Sequence, residues 1–294
     1  MFQPEGVFTA LITPMNGDES INYRELRRQV DRQIAAGIHG LFCLGTNGEF
    51  YVLHEEEKIE IARTIVDQVA GRVPVLANIG CVSTADSVGL AQAISSLGVD
   101  ALSAIIPYFA GLSQEQLYRH YETIAASTEL PLLIYNIPAR TGNSIEAETV
   151  QRLSQIDNIL GIKDSSGNME HMKRILELTD EDFTLLVGTD SLILDVLEAG
   201  GRGAVAGCGN PFPELMAGIY DAWKAGDMKT ARARQERIGP FRSTFSHGNP
   251  NSIVKRAMVL LGYEVGPARE PANILNSEAD AALKKVFPLY DSIP

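Results

Sequence analysis

The stretch Ile159-Leu160-Gly161-Ile162-Lys163-Asp164-Ser165-Ser166-Gly167 reads as a strand that runs out into a turn. An apolar run this short, bounded by turn residues, is too short for a core helix and fits a strand buried on both faces. The chain has eight lysines, at 58, 163, 173, 224, 229, 255, 284 and 285. Seven lie in stretches that read as polar helix faces or as the C-terminal tail; Lys163 alone ends an apparent buried strand. A solvated lysine titrates near 10.4 and stays protonated. Burial disfavours the cation and leaves a neutral amine able to form a Schiff base with a carbonyl. A lysine at a strand end also fits a side chain that snorkels to solvent, and the residue alone does not choose.

Similar runs recur on both sides: Val7–Ile12, Gly40–Leu44, Val75–Ile79, Ala101–Ile106, Leu132–Tyr135, Thr184–Val187 and Gly203–Ala206. They start roughly 20 to 35 residues apart, which is the spacing of strand–helix units. Amphipathic segments lie between them. Tyr23, Leu26, Val30 and Ile34 recur at helical spacing before Gly37, and Ile59, Ala62, Val66 and Val69 do so before Gly71. Ser113 and Gln116 form a capping box ahead of Leu117, Tyr121 and Ile124. Eight such units predict an α/β fold, a (β/α)8 TIM barrel closing near residue 210. The alternative is an open doubly wound sheet, but the G-x-G-x-x-G turn that usually accompanies it is absent. Past Pro211-Phe212-Pro213 no strand pattern remains. Helices are expected at Leu215–Gly226, Thr230–Ile238, Ile253–Leu261 and Glu278–Val286. The division is therefore a barrel over 1–226 and a small C-terminal helical appendage over 227–294.

Composition narrows the class. The 294 residues carry a net charge of −12, and the chain's pI is near 4.9, which argues against a nucleic-acid partner. No run of about 18 apolar residues predicts a membrane span, and the N-terminus lacks the features of a signal peptide. Cys43, Cys81 and Cys208 form no C-x-x-C pair, as in a reducing cytoplasm, and read as packed small hydrophobes. His39, His54, His120, His171 and His247 show no ligand spacing, so neither a metal nor a redox cofactor is expected.

Barrel active sites form at the C-terminal ends of the strands. Those ends carry Thr13-Pro14, Gly45-Thr46-Asn47-Gly48-Glu49, Pro107-Tyr108-Phe109, Tyr135-Asn136, Lys163-Asp164, Gly188-Thr189-Asp190 and Gly207-Cys208-Gly209-Asn210. Strands 5 and 6 are neighbours, so Tyr135 should approach Lys163. A positioned tyrosine can move the protons that imine chemistry needs; a buried tyrosine can equally spend its hydroxyl on backbone. The turn at 45–48 offers N–H groups to a carboxylate. The 207–210 loop lies where many barrels bind phosphate, although it holds no lysine or arginine. Arg140 could clamp a second carboxylate, and Asp190 is a further candidate in the substrate pocket.

Three ordered motifs carry a resemblance: Gly-Thr-Asn-Gly-Glu at 45–49, Tyr-Asn-Ile-Pro-Ala-Arg-Thr-Gly at 135–142 and Gly-Ile-Lys-Asp-Ser-Ser-Gly at 161–167. With them the chain resembles the dihydrodipicolinate synthase and N-acetylneuraminate lyase family from Gly6 to the C-terminal helices. The resemblance implies a cytoplasmic lyase that forms a Schiff base with pyruvate and makes or breaks a C–C bond to an aldehyde. It implies Lys163 as the imine lysine, Tyr135 as general acid/base, and Thr46 and Asn47 on the pyruvate carboxylate, Thr46 also orienting Tyr135. Gly188 and Val205 would line the lysine. It further implies a homotetramer, a dimer of dimers. Two departures bear on the substrate: Asn47 replaces a second threonine, and Phe109 replaces a tyrosine that relays a proton across a subunit contact. They point to a 2-keto-3-deoxy sugar acid or a 4-hydroxy-2-oxoglutarate type of substrate. Arg140 matches the arginine that binds aspartate semialdehyde and keeps 4-hydroxy-tetrahydrodipicolinate synthase as the alternative. A silent keto-acid-binding protein is the reading from another class.

Overall fold

The computed structural model describes residues 2–272 and 277–290. Its eight strands are β1 (Gly6–Ala10), β2 (Gly40–Cys43), β3 (Val75–Asn78), β4 (Ala101–Ile105), β5 (Leu132–Asn136), β6 (Ile159–Asp164), β7 (Thr184–Val187) and β8 (Gly203–Ala206). All pair in parallel and in sequence order, and β8 returns to β1 with Phe8 opposite Val205. That last pairing makes a closed barrel and removes the open-sheet alternative. Every strand residue is buried. Helices cover the outside and side chains fill the inside, so the strands read as unbroken apolar runs rather than alternating ones.

The outer helices are α1 (Tyr23–Ala35), α2 (Glu55–Val69), α3 (Thr84–Ser95), α4 (Gln114–Ala125), α5 (Pro138–Thr141), α6 (Ala147–Leu153), α7 (Met169–Leu178), α8 (Ile193–Glu198) and α9 (Pro213–Lys224). Several start on a residue whose side chain caps the first turn. Asn22, Ser83 and Asn168 accept a hydrogen bond from the backbone of the first turn. The box expected at Ser113 and Gln116 is formed in both directions, at 3.3 and 2.8 Å. After α9 come α10 (Met228–Glu236), α11 (Gly239–Ser243), α12 (Pro250–Leu260) and α13 (Ser277–Val286). α11 starts on Gly239-Pro240 and had no periodic signal to announce it. α12 reaches beyond its neighbours to the barrel: Asn251 Nδ2 donates to the carbonyl of Thr46, 2.6 Å away just past the end of β2.

Two expectations need adjusting. β6 does not stop at Lys163 but carries Asp164 as well, because Asn136 and Asp164 continue the pairing with β5. Lys255 does not lie on a polar helix face. It is 1 % exposed, and its Nζ lies 2.6 Å from Glu49 Oε1. A buried lysine cation calls for a partner, and here the partner comes from a distant part of the chain. Cys43 and Cys208 are buried as expected of small apolar groups. Burial pushes the Cys43 thiol up to about 12 and keeps it unreactive. Among the described residues no helix is long and apolar enough to cross a membrane.

Candidate active site

Tyr135 and Lys163 are direct partners across the β5–β6 ladder. Their side chains therefore leave neighbouring strands on one face of the sheet. Tyr135 is 1 % exposed and Lys163 3 % exposed. Lys163 Nζ lies 3.7 Å from the centre of the Tyr135 ring and 4.3 Å from that of Phe42, on β2. Phe42 in turn meets Tyr135 edge to face at 6.1 Å. No carboxylate forms an ion pair with Lys163 among the described residues. Loss of solvation is the largest influence and pushes its pKa below the ordinary lysine range, while Tyr135 and the more distant Asp190 pull it partly back. Burial therefore favours the neutral, nucleophilic amine.

The Tyr135 hydroxyl is 2.9 Å from Thr46 Oγ1. Thr46 sits on the turn after β2, where Leu44 and Glu49 both have left-handed backbones, with φ of 57° and 58°. Neither residue is glycine, so the turn is strained. Its carbonyls are tied off: Leu44 by Asn78 at 2.9 Å, Thr46 by Asn251 at 2.6 Å and Gly48 by Thr13 at 2.7 Å. The N–H groups of Asn47 and Gly48 meet no backbone acceptor among the described residues. The turn thus presents donors next to the Tyr135 hydroxyl, which suits a carboxylate. The Asn47 side chain reaches across the barrel mouth toward β8. A Cβ on Gly207 would come within 2.9 Å of Asn47 Nδ2.

Gly188 is needed for its lack of a side chain. A Cβ there would lie 3.1 Å from Lys163 Cε and collide with the Ser165 hydroxyl. Val205 is buried on β8 at the barrel closure. Asp190 does not face the lysine as a free acceptor. Its carboxylate accepts from the N–H groups of Gly207 and Cys208 at 3.0 and 3.3 Å and pairs with Arg242 at 3.3 Å. This acid fastens the loop after β8. It also takes the N–H groups that a phosphate would need at 207–208, so the structure gives no support to phosphate binding there.

Beside Thr46 opens a cavity of about 300 Å³ walled by Phe50, Tyr51, Ile105, Tyr108 and Thr141, with Arg140, Asn249 and Asn251 supplying polar groups. Arg140 is exposed at the cavity, with no ion-pair partner among the described residues. Sequence reasoning missed Tyr51, Asn249 and Asn251. The two asparagines belong to the start of α12, about two hundred residues from the turn they approach, and no spacing rule connects them. Phe109 lies outside this cavity, 99 % exposed and left-handed with φ of 80°. Among the described residues no cluster of histidine, cysteine and carboxylate side chains is arranged to hold a metal ion.

Residues 3–288 match the profile of the Dihydrodipicolinate synthetase family. A 4-hydroxy-tetrahydrodipicolinate synthase of Methanopyrus kandleri is 38 % identical over 296 residues, covering 100 % of this chain and 98 % of the relative. An uncharacterized DapA-like lyase of Halobacterium salinarum is 36 % identical, over 95 % of this chain and 91 % of its own. Among solved structures, dihydrodipicolinate synthase DapA-2 of Bacillus anthracis superposes with a TM-score of 0.95 at 33 % identity, with both chains fully covered. YagE, a prophage protein of the same family from E. coli K12 solved in complex with pyruvate, superposes with a TM-score of 0.93 at 31 % identity over 97 % of this chain and 98 % of its own.

Proposed function

This chain belongs to the dihydrodipicolinate synthetase family and is a lyase, a pyruvate-dependent aldolase; on that premise we propose that Lys163 forms the imine and that the aldehyde partner carries a second carboxylate. The observation that carries this reading is the buried Lys163 amine against Tyr135, whose hydroxyl touches Thr46 at 2.9 Å. In the condensing direction the neutral amine adds to C2 of pyruvate. Tyr135 delivers a proton to the carbinolamine oxygen, which leaves as water and gives the iminium. The Tyr135 phenolate then takes a proton from C3, which restores its hydroxyl and gives the enamine, and the enamine attacks the aldehyde carbon. Tyr135 protonates the new alkoxide, and water then releases the product and restores the lysine. Thr46 and Asn47 hold the pyruvate carboxylate against the free turn N–H groups. Gly188 and Val205 leave room for the imine carbons. Asp190 acts through the loop it fastens.

Among the described residues Arg140 is the one cation lining the cavity, and a guanidinium grips a carboxylate in two places. Phe50, Tyr51 and Tyr108 add ring faces, which suits a short acid such as 4-hydroxy-2-oxoglutarate; the tyrosine hydroxyls and Asn249 could also serve a 2-keto-3-deoxy sugar acid. The second reading, 4-hydroxy-tetrahydrodipicolinate synthase, draws support from Arg140 and from relatives of that name at 35–38 % identity. Phe109 speaks against it, since phenylalanine transfers no proton. Loss of one positioned proton-transfer group costs about 10²–10⁴-fold in rate. Aspartate semialdehyde with pyruvate should therefore show a lower kcat/KM than either oxo acid. If it is the best substrate by tenfold, the synthase reading wins. Arg140→Ala should raise KM for the acidic partner by about 10- to 100-fold, the value of a charge-assisted hydrogen bond, and leave pyruvate trapping unchanged.

The same reading includes a homotetramer. A fully exposed aromatic held in a left-handed conformation costs free energy in a lone chain, and a subunit contact at Phe109 would repay it. Light scattering should give four times the chain mass; a monomer at working concentration rejects this assembly.

A further inference from the structure

Two side chains of α12, one helical turn apart, grip the strained turn, and the first of them also borders the cavity. Asn251, 3 % exposed, donates to the Thr46 carbonyl at 2.6 Å and reaches the Tyr51 hydroxyl at 3.2 Å. Lys255, 1 % exposed, faces the fully buried Glu49, whose left-handed backbone ends the turn. Lys255 Nζ forms a 2.6 Å ion pair with Glu49 Oε1 and donates another of its hydrogens to the Pro267 carbonyl at 2.9 Å. Glu49 Oε2 is taken by the N–H of Arg269 at 2.8 Å. Left-handed residues at both ends of a turn persist only when surrounding contacts outweigh their cost. Here those contacts come mainly from the C-terminal segment. The path from α12 to the chemistry is short: Asn251 to the Thr46 backbone, and Thr46 Oγ1 to the Tyr135 hydroxyl.

We propose that Asn251 and Lys255 are positioning residues for the pyruvate site, so that α12, and not the barrel alone, sets the Thr46–Tyr135 contact and the turn that receives the carboxylate. This rests on the function proposed above. An interaction that only stabilised the fold would lower the melting temperature and leave the pyruvate dependence of a folded enzyme unchanged. Asn251→Ala removes both donors while keeping the helix and the ion pair. Lys255→Met removes the cation and leaves Glu49 unpaired. Below its melt each variant should need about tenfold more pyruvate for half-maximal borohydride trapping on Lys163, as expected when one buried hydrogen bond is lost. The KM for pyruvate should rise in parallel, with a smaller change in kcat.

Hydrogen exchange without ligand separates this proposal from the function on which it rests. The Glu49 N–H is held by the Thr46 carbonyl at 3.1 Å. Its exchange should quicken by about tenfold in Asn251→Ala whether or not pyruvate is the substrate. If the wild-type chain is not trapped by pyruvate, the function reading fails while exchange still reports on the turn. If Lys255→Met does not fold, Asn251→Ala decides. Unchanged exchange in the turn, or unchanged pyruvate dependence in a folded Asn251→Ala enzyme that wild-type trapping shows to be competent, overturns the proposal.

Discussion

Lys163→Ala abolishes pyruvate trapping by borohydride and removes nearly all turnover, with a fall on the order of 10⁵-fold or more, as for other enzymes deprived of their nucleophile. The size follows from the chemistry: without the amine there is no iminium to acidify C3 of pyruvate, and no other residue can supply one. Lys255 is the other buried lysine; burial lowers its pKa too, but Glu49, 2.6 Å away, pulls it partly back and engages the amine in an ion pair. Lys163 has ring faces instead of a carboxylate at that range. Burial lowers its pKa, so the neutral amine forms at lower pH than for a solvated lysine. The trapping rate should therefore rise with pH and reach its half-way point below the ordinary value of 10.5. The sign also concerns stability. A lysine whose folded pKa lies below its unfolded value binds fewer protons when folded, so its burial costs most below the folded pKa, and the cost fades as pH climbs toward the unfolded one. Mass spectrometry after borohydride locates the adduct. A pyruvate adduct in Lys163→Ala would move the nucleophile elsewhere, and Lys255 would be examined next.

The fold was legible because each strand is buried on both sides and announces itself without help from distant residues. The pair Tyr135 and Lys163 was legible for the same reason, since register in adjacent strands brings them together. What supports the pair was not. Lys255 sits in Ser252-Ile253-Val254-Lys255-Arg256, where a charge beside an apolar run reads as a solvated face; only the approach of Glu49 makes its burial tolerable. Asn251 is an ordinary polar residue near a helix start until α12 is seen to lie over the end of β2. Asp190 was legible as an acid at a strand end. Its use was not, because the loop after β8 that consumes its carboxylate is placed by barrel closure rather than by local sequence. Local patterns thus locate reacting groups on the strands, whereas the groups that hold them come from contacts across the whole chain.

Tyr135→Phe should lower kcat by about 10²–10⁴-fold, the range for losing a positioned proton-transfer group, while the protein melts close to the wild-type temperature. The variant removes one oxygen and keeps the ring. The ring packs on Phe42 and faces Lys163, so the imine pocket should keep its shape. Trapping of pyruvate should slow rather than vanish, because the amine remains and water can move the proton less efficiently. Thr46→Val tests the next link, since Thr46 Oγ1 is the partner of the Tyr135 hydroxyl at 2.9 Å. If the two hydroxyls act as one proton path, the double variant should be little worse than Tyr135→Phe alone, because groups that work as a unit are not additive. Phe109 makes this stricter: no hydroxyl at that position can extend or replace the path. Single-turnover rates with pyruvate and the preferred aldehyde give the comparison. A Tyr135→Phe enzyme within tenfold of wild type, or full additivity with Thr46→Val, would place proton transfer on another group facing the cavity, with the Tyr51 and Tyr108 hydroxyls next in line.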